Sequence, residues 1–90
     1  MSFGLRLAGD AVADLKELDV WLQEEVLDEV EQIVAEPSIL RRRPEAGAIV
    51  YDFIRERGGR REYIFLTLDI DDARQQLIVL GISHHGRMIA

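Results

Sequence analysis

The spacing of apolar residues in this chain changes once, from a helical to a strand period, and this change limits what the chain can fold into. Residues 3–7 alternate as a half-buried strand does. Residues 10–36 keep a helical period, and residues 48–84 read as strand with two turn signals. The predicted order is one strand, two helices and three strands, which allows few topologies in 90 residues.

Two helices are predicted in the first half of the chain, separated by a short break. Asp10 opens the first helix, where its carboxylate is predicted to accept from the free N–H groups of the first turn. Asp19 is predicted to cap the second helix, and Glu36-Pro37 ends it because a residue before proline avoids the helical conformation. The second helix carries an apolar stripe: Leu22, Val26, Val30 and Ile33.

Three strands joined by tight turns are predicted in the second half. Gly58-Gly59 marks the first turn, since glycine readily takes the positive φ that such hairpins need. Residues 71–74 mark the second turn. The nearly unbroken apolar run 77–82 predicts a central strand covered on both faces, with residues 84–87 following as a tail.

Together these elements predict a single α+β domain over residues 1–90 with the order β-α-α-β-β-β. The sheet is expected to be twisted and mainly antiparallel, with both helices packed as a hairpin on one face. The apolar stripe of the second helix is expected to lie against Leu66, Leu68, Leu80 or Ile82.

The residue types exclude several classes of protein. The chain has no cysteine and only two histidines, so neither a disulfide framework nor a zinc site is expected, and no metal or other cofactor is predicted. No apolar run approaches the roughly 20 residues of a membrane span, and the N-terminus does not resemble a signal peptide. We therefore expect a cytoplasmic protein without a membrane partner.

Charge is distributed unevenly along the chain. Residues 1–36 carry ten acidic residues against Arg6 and Lys16, a net charge of −8, and residues 37–90 carry nine arginines against seven acidic residues, a net charge of +2. These add to the overall net charge of −6. The sheet half can therefore meet an anion. Alternatively, the acidic residues are only the solvated face of the helices.

The stretch AVADLKEL at residues 11–18 is similar to the opening of toxins of the RelE/ParE superfamily, in which an alanine precedes an Asp-Leu pair and a basic residue. A second helix ending in Glu36-Pro37, a loop, three strands and a terminal histidine also fit that pattern. The resemblance covers nearly the whole chain. It is closer to the RelE side than to the ParE side, because almost no spacer separates the helices.

This resemblance implies a RelE/ParE-like fold and the toxin of a type II toxin–antitoxin pair, with a cognate antitoxin as partner. RelE-like members cut mRNA on the ribosome without a metal, using the 2′-hydroxyl of the substrate. ParE-like members inhibit DNA gyrase and are not enzymes. Three hypotheses stay open: a ribosome-dependent endoribonuclease, a gyrase inhibitor, and a degenerate toxin that only binds its antitoxin. The short helical hairpin favours the first over the second, whereas net acidity and the single lysine favour the other two.

The two histidines are the candidates for proton transfer. His84 and His85 are adjacent on a predicted strand, so they point to opposite faces and only one can line an open face. An imidazole titrates near neutral pH and suits a general acid or base. His85 is favoured because it follows Gly81 and Ser83, whereas His84 continues the bulky face of residues 78, 80 and 82, which is expected to meet the helices. Alternatively, both are solvent-exposed histidines at the end of a strand, without a role in catalysis.

Arginines are the candidates for holding an RNA phosphate, because a guanidinium binds phosphate in a bidentate way. Four arginines surround the first hairpin turn: Arg55, Arg57, Arg60 and Arg61. Of these, Arg60 or Arg61 is expected to hold the scissile phosphate. Alternatively, these arginines serve solubility and pair across strands with Glu56 and Glu62.

Two further groups of arginines lie outside the hairpin. Arg41, Arg42 and Arg43 form a basic loop suited to nonspecific contact with RNA backbone. Alternatively, the loop binds an acidic antitoxin segment or has no binding role. Arg87, after the histidines, is a further phosphate candidate.

Overall fold

The computed structural model describes residues 3–40 and 48–89, which form two helices and one four-stranded sheet. The strands are Gly4–Leu7 (β1), Ile49–Arg57 (β2), Arg60–Asp71 (β3) and Gln76–Met88 (β4). The helices are Gly9–Lys16 (α1) and Val20–Ala35 (α2), and a short 3-10 helix, Pro37–Ile39, follows α2. The α+β fold and the order of its strands and helices are confirmed. Within the described ranges, no helix has the length and apolarity needed to cross a membrane.

The sheet has the strand order β1-β4-β3-β2. β1 is parallel to β4, and the other two neighbouring pairs are antiparallel, so the sheet is mainly antiparallel as predicted. The β2–β3 hairpin turns through Gly58 and Gly59, whose φ angles of 62° and 75° lie in the left-handed region that favours glycine. The predicted two-residue turn is therefore confirmed.

Both helices pack on one side of the sheet, which we call the covered face. The predicted stripe of α2 is in the core, with all four residues at most 2% exposed: Leu22, Val26, Val30 and Ile33. It shares one apolar cluster with Ile64, Leu66 and Leu68, which alternate along β3. The burial of this stripe supplies the hydrophobic free energy that holds the helices on the sheet.

The opposite side of the sheet, which we call the open face, is not packed against a helix in the described part of the chain. Strand alternation and the register of β2, β3 and β4 define its residues at the hairpin end and centre. They are Val50, Asp52, Ile54, Glu56, Arg61, Tyr63, Phe65, Thr67, Gly81, Ser83, His85 and Arg87.

A β-bulge in β4 corrects the predicted faces of this strand. Leu68 pairs with Val79 but Thr67 pairs with Gly81, so Leu80 is an extra residue without a partner on β3. As a result, Leu77 and Val79 are buried before the bulge, and Ile82 after it. Leu80, predicted to meet the helices, is 37% exposed, and the run 77–82 is covered on one face rather than two.

Beyond β1, helix α1 completes the edge of β4. The pairing of β1 ends at Val79, whose carbonyl oxygen accepts the Ala8 N–H at 2.9 Å. One turn into α1, the Asp14 Oδ2 atom accepts the Ile82 N–H, also at 2.9 Å. The Asp14 side chain thus continues, along the edge of β4, the hydrogen bonding that the backbone of β1 begins. The next residue, Leu15, packs against the core. This arrangement gives the Asp-Leu pair of the sequence pattern a structural role.

The ends of two elements, α1 and β4, differ from their predictions, and the N-cap of α2 is confirmed. The N-cap of α1 is Ala8, so Asp10 lies inside the first turn and does not cap the helix. Asp19 is the N-cap of α2 as predicted, although its carbonyl oxygen rather than its carboxylate accepts the first N–H groups. β4 runs on to Met88, so residues 84–87 belong to the sheet instead of forming a tail.

Candidate active site on the open face of the sheet

The register of the strands arranges the open face in rows. The row nearest the hairpin turn consists of Glu56, Arg61 and Arg87, and the next row consists of Ile54, Tyr63 and His85. Neighbouring strands are about 4.8 Å apart and successive rows about 6.7 Å. Side chains from three strands therefore reach one small area of surface.

Four of these side chains, Arg61, Tyr63, His85 and Arg87, form what we call the open-face cluster. The Tyr63 and His85 rings lie with their centroids 6.4 Å apart and their planes tilted by 34°. The Arg61 guanidinium beside the Tyr63 hydroxyl lowers the pKa of that phenol, and Arg87 lowers it further. Two guanidiniums and two groups that exchange protons thus share one exposed surface, a combination suited to an anionic substrate.

Glu56 orients the Arg61 side chain within this cluster. The Nε and Nη2 atoms of Arg61 both lie 2.6 Å from the Glu56 Oε1 atom. The cross-strand pairing that the sequence allows as an alternative is therefore present. Both side chains remain well exposed, at 40% and 51%, and an ion pair in water is weak. A phosphate can compete for this guanidinium.

On the covered face, Arg55 connects β2 to helix α2. Its Nε atom lies 3.2 Å from Glu25 and its Nη2 atom 2.9 Å from Glu29. Burial acts to lower the pKa of Arg55, but the hydrogen bonds to these carboxylates outweigh it and raise the pKa overall. Glu29 also accepts the Tyr51 hydroxyl at 2.6 Å, and this hydrogen bond is the main reason why the pKa of Tyr51 rises to about 12.

The other hairpin arginines also have partners on the covered side. The Arg57 guanidinium lies 5.3 Å from the centre of the Trp21 ring. Arg60 donates from Nε to the Oε1 atom of Glu62 at 2.7 Å, and the His84 Nδ1 atom lies 3.5 Å from Glu62 Oε2, which is long for a hydrogen bond. Burial acts to raise the pKa of Glu62, but Arg60 and then His84 outweigh it and lower the pKa.

The structure divides the predicted site residues between the two faces. It brings together Arg61, His85 and Arg87, and it confirms that His84 and His85 point to opposite sides. It places four residues toward the helices: Arg55, Arg57, Arg60 and His84. Arg41, Arg42 and Arg43 lie outside the described residues. Among the residues that are described, no three side chains of metal-ligating types come together.

Two residues of this surface, Glu56 and Tyr63, were not predicted as part of a site. The spacing of Arg61 and Tyr63 puts both on one side of β3, and the same spacing joins His85 and Arg87 on β4. Alternation along each strand therefore identifies one pair of site residues on β3 and a second pair on β4. Their alignment depends on the register between the strands, which the bulge shifts by one residue.

Compared with known proteins, the chain matches no protein-family model and no curated protein sequence. Its structure is similar to solved toxin structures. A chain of the toxin–antitoxin complex RelBE2 from Mycobacterium tuberculosis is 25% identical, with a TM-score of 0.66, and the match covers 94% of this chain and 100% of that one.

Two other solved structures are similar in fold at lower sequence identity. The free RelE toxin of E. coli, in a mutant form, gives a TM-score of 0.72 at 13% identity, covering 92% of this chain and 83% of that one. An archaeal RelE–RelB complex from Pyrococcus horikoshii gives 0.58 at 13% identity, covering 92% and 94%. The chain therefore has the fold of the RelE toxins, as its resemblance to the RelE side of the RelE/ParE superfamily implied.

Proposed function

We propose that this chain is the toxin of a type II toxin–antitoxin pair and that it cuts mRNA on the ribosome. The fold supports the toxin assignment, because the similar solved structures are RelE toxins and RelBE complexes. The observation that carries the proposed chemistry is the open-face cluster. It presents two guanidiniums, a phenol and an imidazole on one uncovered surface of the described sheet.

The proposed reaction uses the RNA as its own nucleophile. A base removes the proton of a 2′-hydroxyl, and the resulting oxygen attacks the adjacent phosphorus. The bond from phosphorus to the 5′-oxygen breaks, and an acid protonates that oxygen as it leaves. The products are a 2′,3′-cyclic phosphate and a 5′-hydroxyl, so one proton is taken up and one is returned.

Each member of the cluster has a role in this reaction. Arg61 and Arg87, opposite one another on β3 and β4, hold the phosphate and stabilise the charge that builds up on its oxygens. Tyr63 is the base, since the neighbouring guanidiniums lower its pKa and favour the phenolate. His85, beside Tyr63, is the acid for the leaving oxygen, because an imidazolium donates a proton readily near neutral pH.

The same face suits a cognate antitoxin. Beside the cluster it exposes apolar side chains of β2, with Val50 at 66% and Ile54 at 48%. An extended segment carrying acidic and apolar residues can pair with Arg61 and Arg87 and cover these side chains at once. Its binding blocks the face that RNA requires and thereby neutralises the toxin.

A translating ribosome extract tests this proposal, with cuts in the mRNA mapped by primer extension. Wild-type protein is expected to cut within codons, and an antitoxin encoded by the neighbouring gene is expected to stop the cutting. Arg61→Ala and His85→Ala are each expected to lower the rate by about 10²-fold or more, the loss typical of a charge-stabilising or acid–base group.

Matched variants separate loss of the site from general damage. Arg74→Ala removes the same charge from the exposed β3–β4 turn and is expected to cut normally. His84→Ala, next to His85 but on the covered side, is expected to lose far less activity than His85→Ala. Intact mRNA together with inhibited supercoiling in a parallel gyrase assay contradicts the proposal and favours a gyrase inhibitor. Inactivity in both assays favours a toxin that only binds its antitoxin.

A further inference from the structure

A third row crosses the open face beside the cluster, and the proposed bond cleavage does not use it. It consists of Asp52 on β2, Phe65 on β3 and Ser83 on β4. Phe65 is 40% exposed although it lies on an inner strand of the sheet. None of the three side chains makes a hydrogen bond, ion pair or ring contact with another residue that the structure describes.

We propose that this row is a base-reading subsite, in which Phe65 stacks on a base next to the scissile phosphate and Asp52 selects guanine. This inference rests on the proposed function of the face. A phenyl ring exposed near two arginines is the usual means by which proteins hold an unpaired base beside a bound phosphate. Phe65 lies four residues from Arg61 on the same side of β3, about 13 Å along the strand. One nucleotide and an extended arginine side chain span this distance together.

The position of Asp52 determines which base fits. Asp52 and Ser83 flank Phe65 on the two neighbouring strands, about 5 Å to either side. An ionised carboxylate only accepts hydrogen bonds, and it accepts two parallel ones well. Guanine presents two adjacent donors, N1–H and the N2 amino group. Adenine and cytosine place an acceptor next to their amino group, and uracil has a single donor between two carbonyl oxygens.

Asp52 also argues against the antitoxin as the occupant of this row. An acidic residue of the antitoxin placed in this row meets a like charge at Asp52, which repels it. A segment that covers Val50 and Ile54 on either side of Asp52 therefore crosses the row with a neutral residue. A guanine is also neutral, and it brings donors to that carboxylate. The chemistry of the row therefore favours a nucleobase over an acidic peptide.

Binding of short single-stranded RNAs tests the subsite without the ribosome. The probes differ in one central base, and fluorescence anisotropy reports the Kd of each. Wild-type protein is expected to bind the guanine probe about tenfold or more tightly than the others, the discrimination typical of one bidentate contact. Asp52→Asn is expected to abolish this preference, whereas Asp28→Asn, which removes the same charge from the exposed side of α2, is expected to keep it.

Phe65→Leu tests the stacking of a base on the Phe65 ring, since it keeps an apolar side chain but removes the ring. It is expected to weaken binding of every probe by about tenfold, as loss of one base–aromatic stack does. Thermal unfolding of each variant checks that the fold is intact.

A wild-type protein without guanine preference, or a preference that survives Asp52→Asn, overturns the subsite. In the ribosome assay, an Asp52→Asn protein that cuts the same sites at the same rate as wild type also overturns the subsite. The nuclease proposal stands in that case. Guanine-dependent binding without cutting supports the subsite and overturns the nuclease.

Discussion

Gly86 is predicted to be a position where alanine lowers the stability of the fold, because an ion pair occupies the space of its missing side chain. Gly86 lies opposite Glu62 in the sheet. A Cβ atom added to it falls 2.5 Å from the Arg60 Nη2 and Glu62 Oε2 atoms and 2.6 Å from Glu62 Oε1. The Glu62 side chain is only 7% exposed, so its carboxylate has little room to move away.

The size of the effect follows from what Gly86→Ala displaces. Moving the carboxylate breaks the 2.7 Å charge-assisted hydrogen bond from Arg60, and a lost bond to a charged group costs about 1.5–3 kcal/mol. Replacing glycine inside a strand recovers about 0.5–1 kcal/mol of backbone entropy, since Gly86 does not have a positive φ. The net loss is about 0.5–2.5 kcal/mol, which lowers the Tm of a domain of this size by roughly 2–20 °C.

Thermal and urea unfolding measure this loss, and two comparisons isolate its cause. Gly9→Ala is the control, because a Cβ atom at Gly9 meets nothing within 4 Å, and its stability is expected to be unchanged or higher. In a Glu62→Ala background the obstructing carboxylate is absent, so adding Gly86→Ala is expected to cost little. An unchanged Tm for Gly86→Ala alone, or an equal loss in both backgrounds, refutes the steric reasoning.

Two further predictions concern stability. Val30→Ala, at a site 1% exposed in the core, is expected to lower the free energy of unfolding by roughly 1–3 kcal/mol in urea, and a loss near zero contradicts the packing of α2 on the sheet. The pKa of Tyr51 is about 12 in the folded protein against an ordinary value of 10, so its stabilising effect is complete below pH 10 and is lost as pH rises through 12. Tyr51→Phe is expected to remove this part of the alkaline loss, and equal pH profiles for both proteins contradict the contribution of the Tyr51–Glu29 hydrogen bond.

The order of helices and strands, the hairpin turn and the core side of α2 could be predicted from the sequence. These features depend on local patterns: the helical spacing of Leu22, Val26, Val30 and Ile33, and the conformational freedom of Gly58 and Gly59. The candidate site was predictable in part. The residue types of Arg61, His85 and Arg87 predict phosphate binding and proton transfer from the sequence alone. Tyr63 was not predicted, since a tyrosine within an apolar strand gives no such signal.

Only the tertiary structure decided which of these side chains meet. The bulge at Leu80 shifts the register of β4 by one residue, and without it Tyr63 would face His84 and Arg61 would face Gly86. His85 lies on the open face as predicted, but the alternation of residues 78 and 80 does not continue to His84, because it ends at the bulge. Arg60 and Arg61 are adjacent in the chain, but one reaches toward a buried carboxylate and the other toward the open face. Local sequence sets the alternation of side chains along a strand, whereas the pairing between strands sets which of them share a surface.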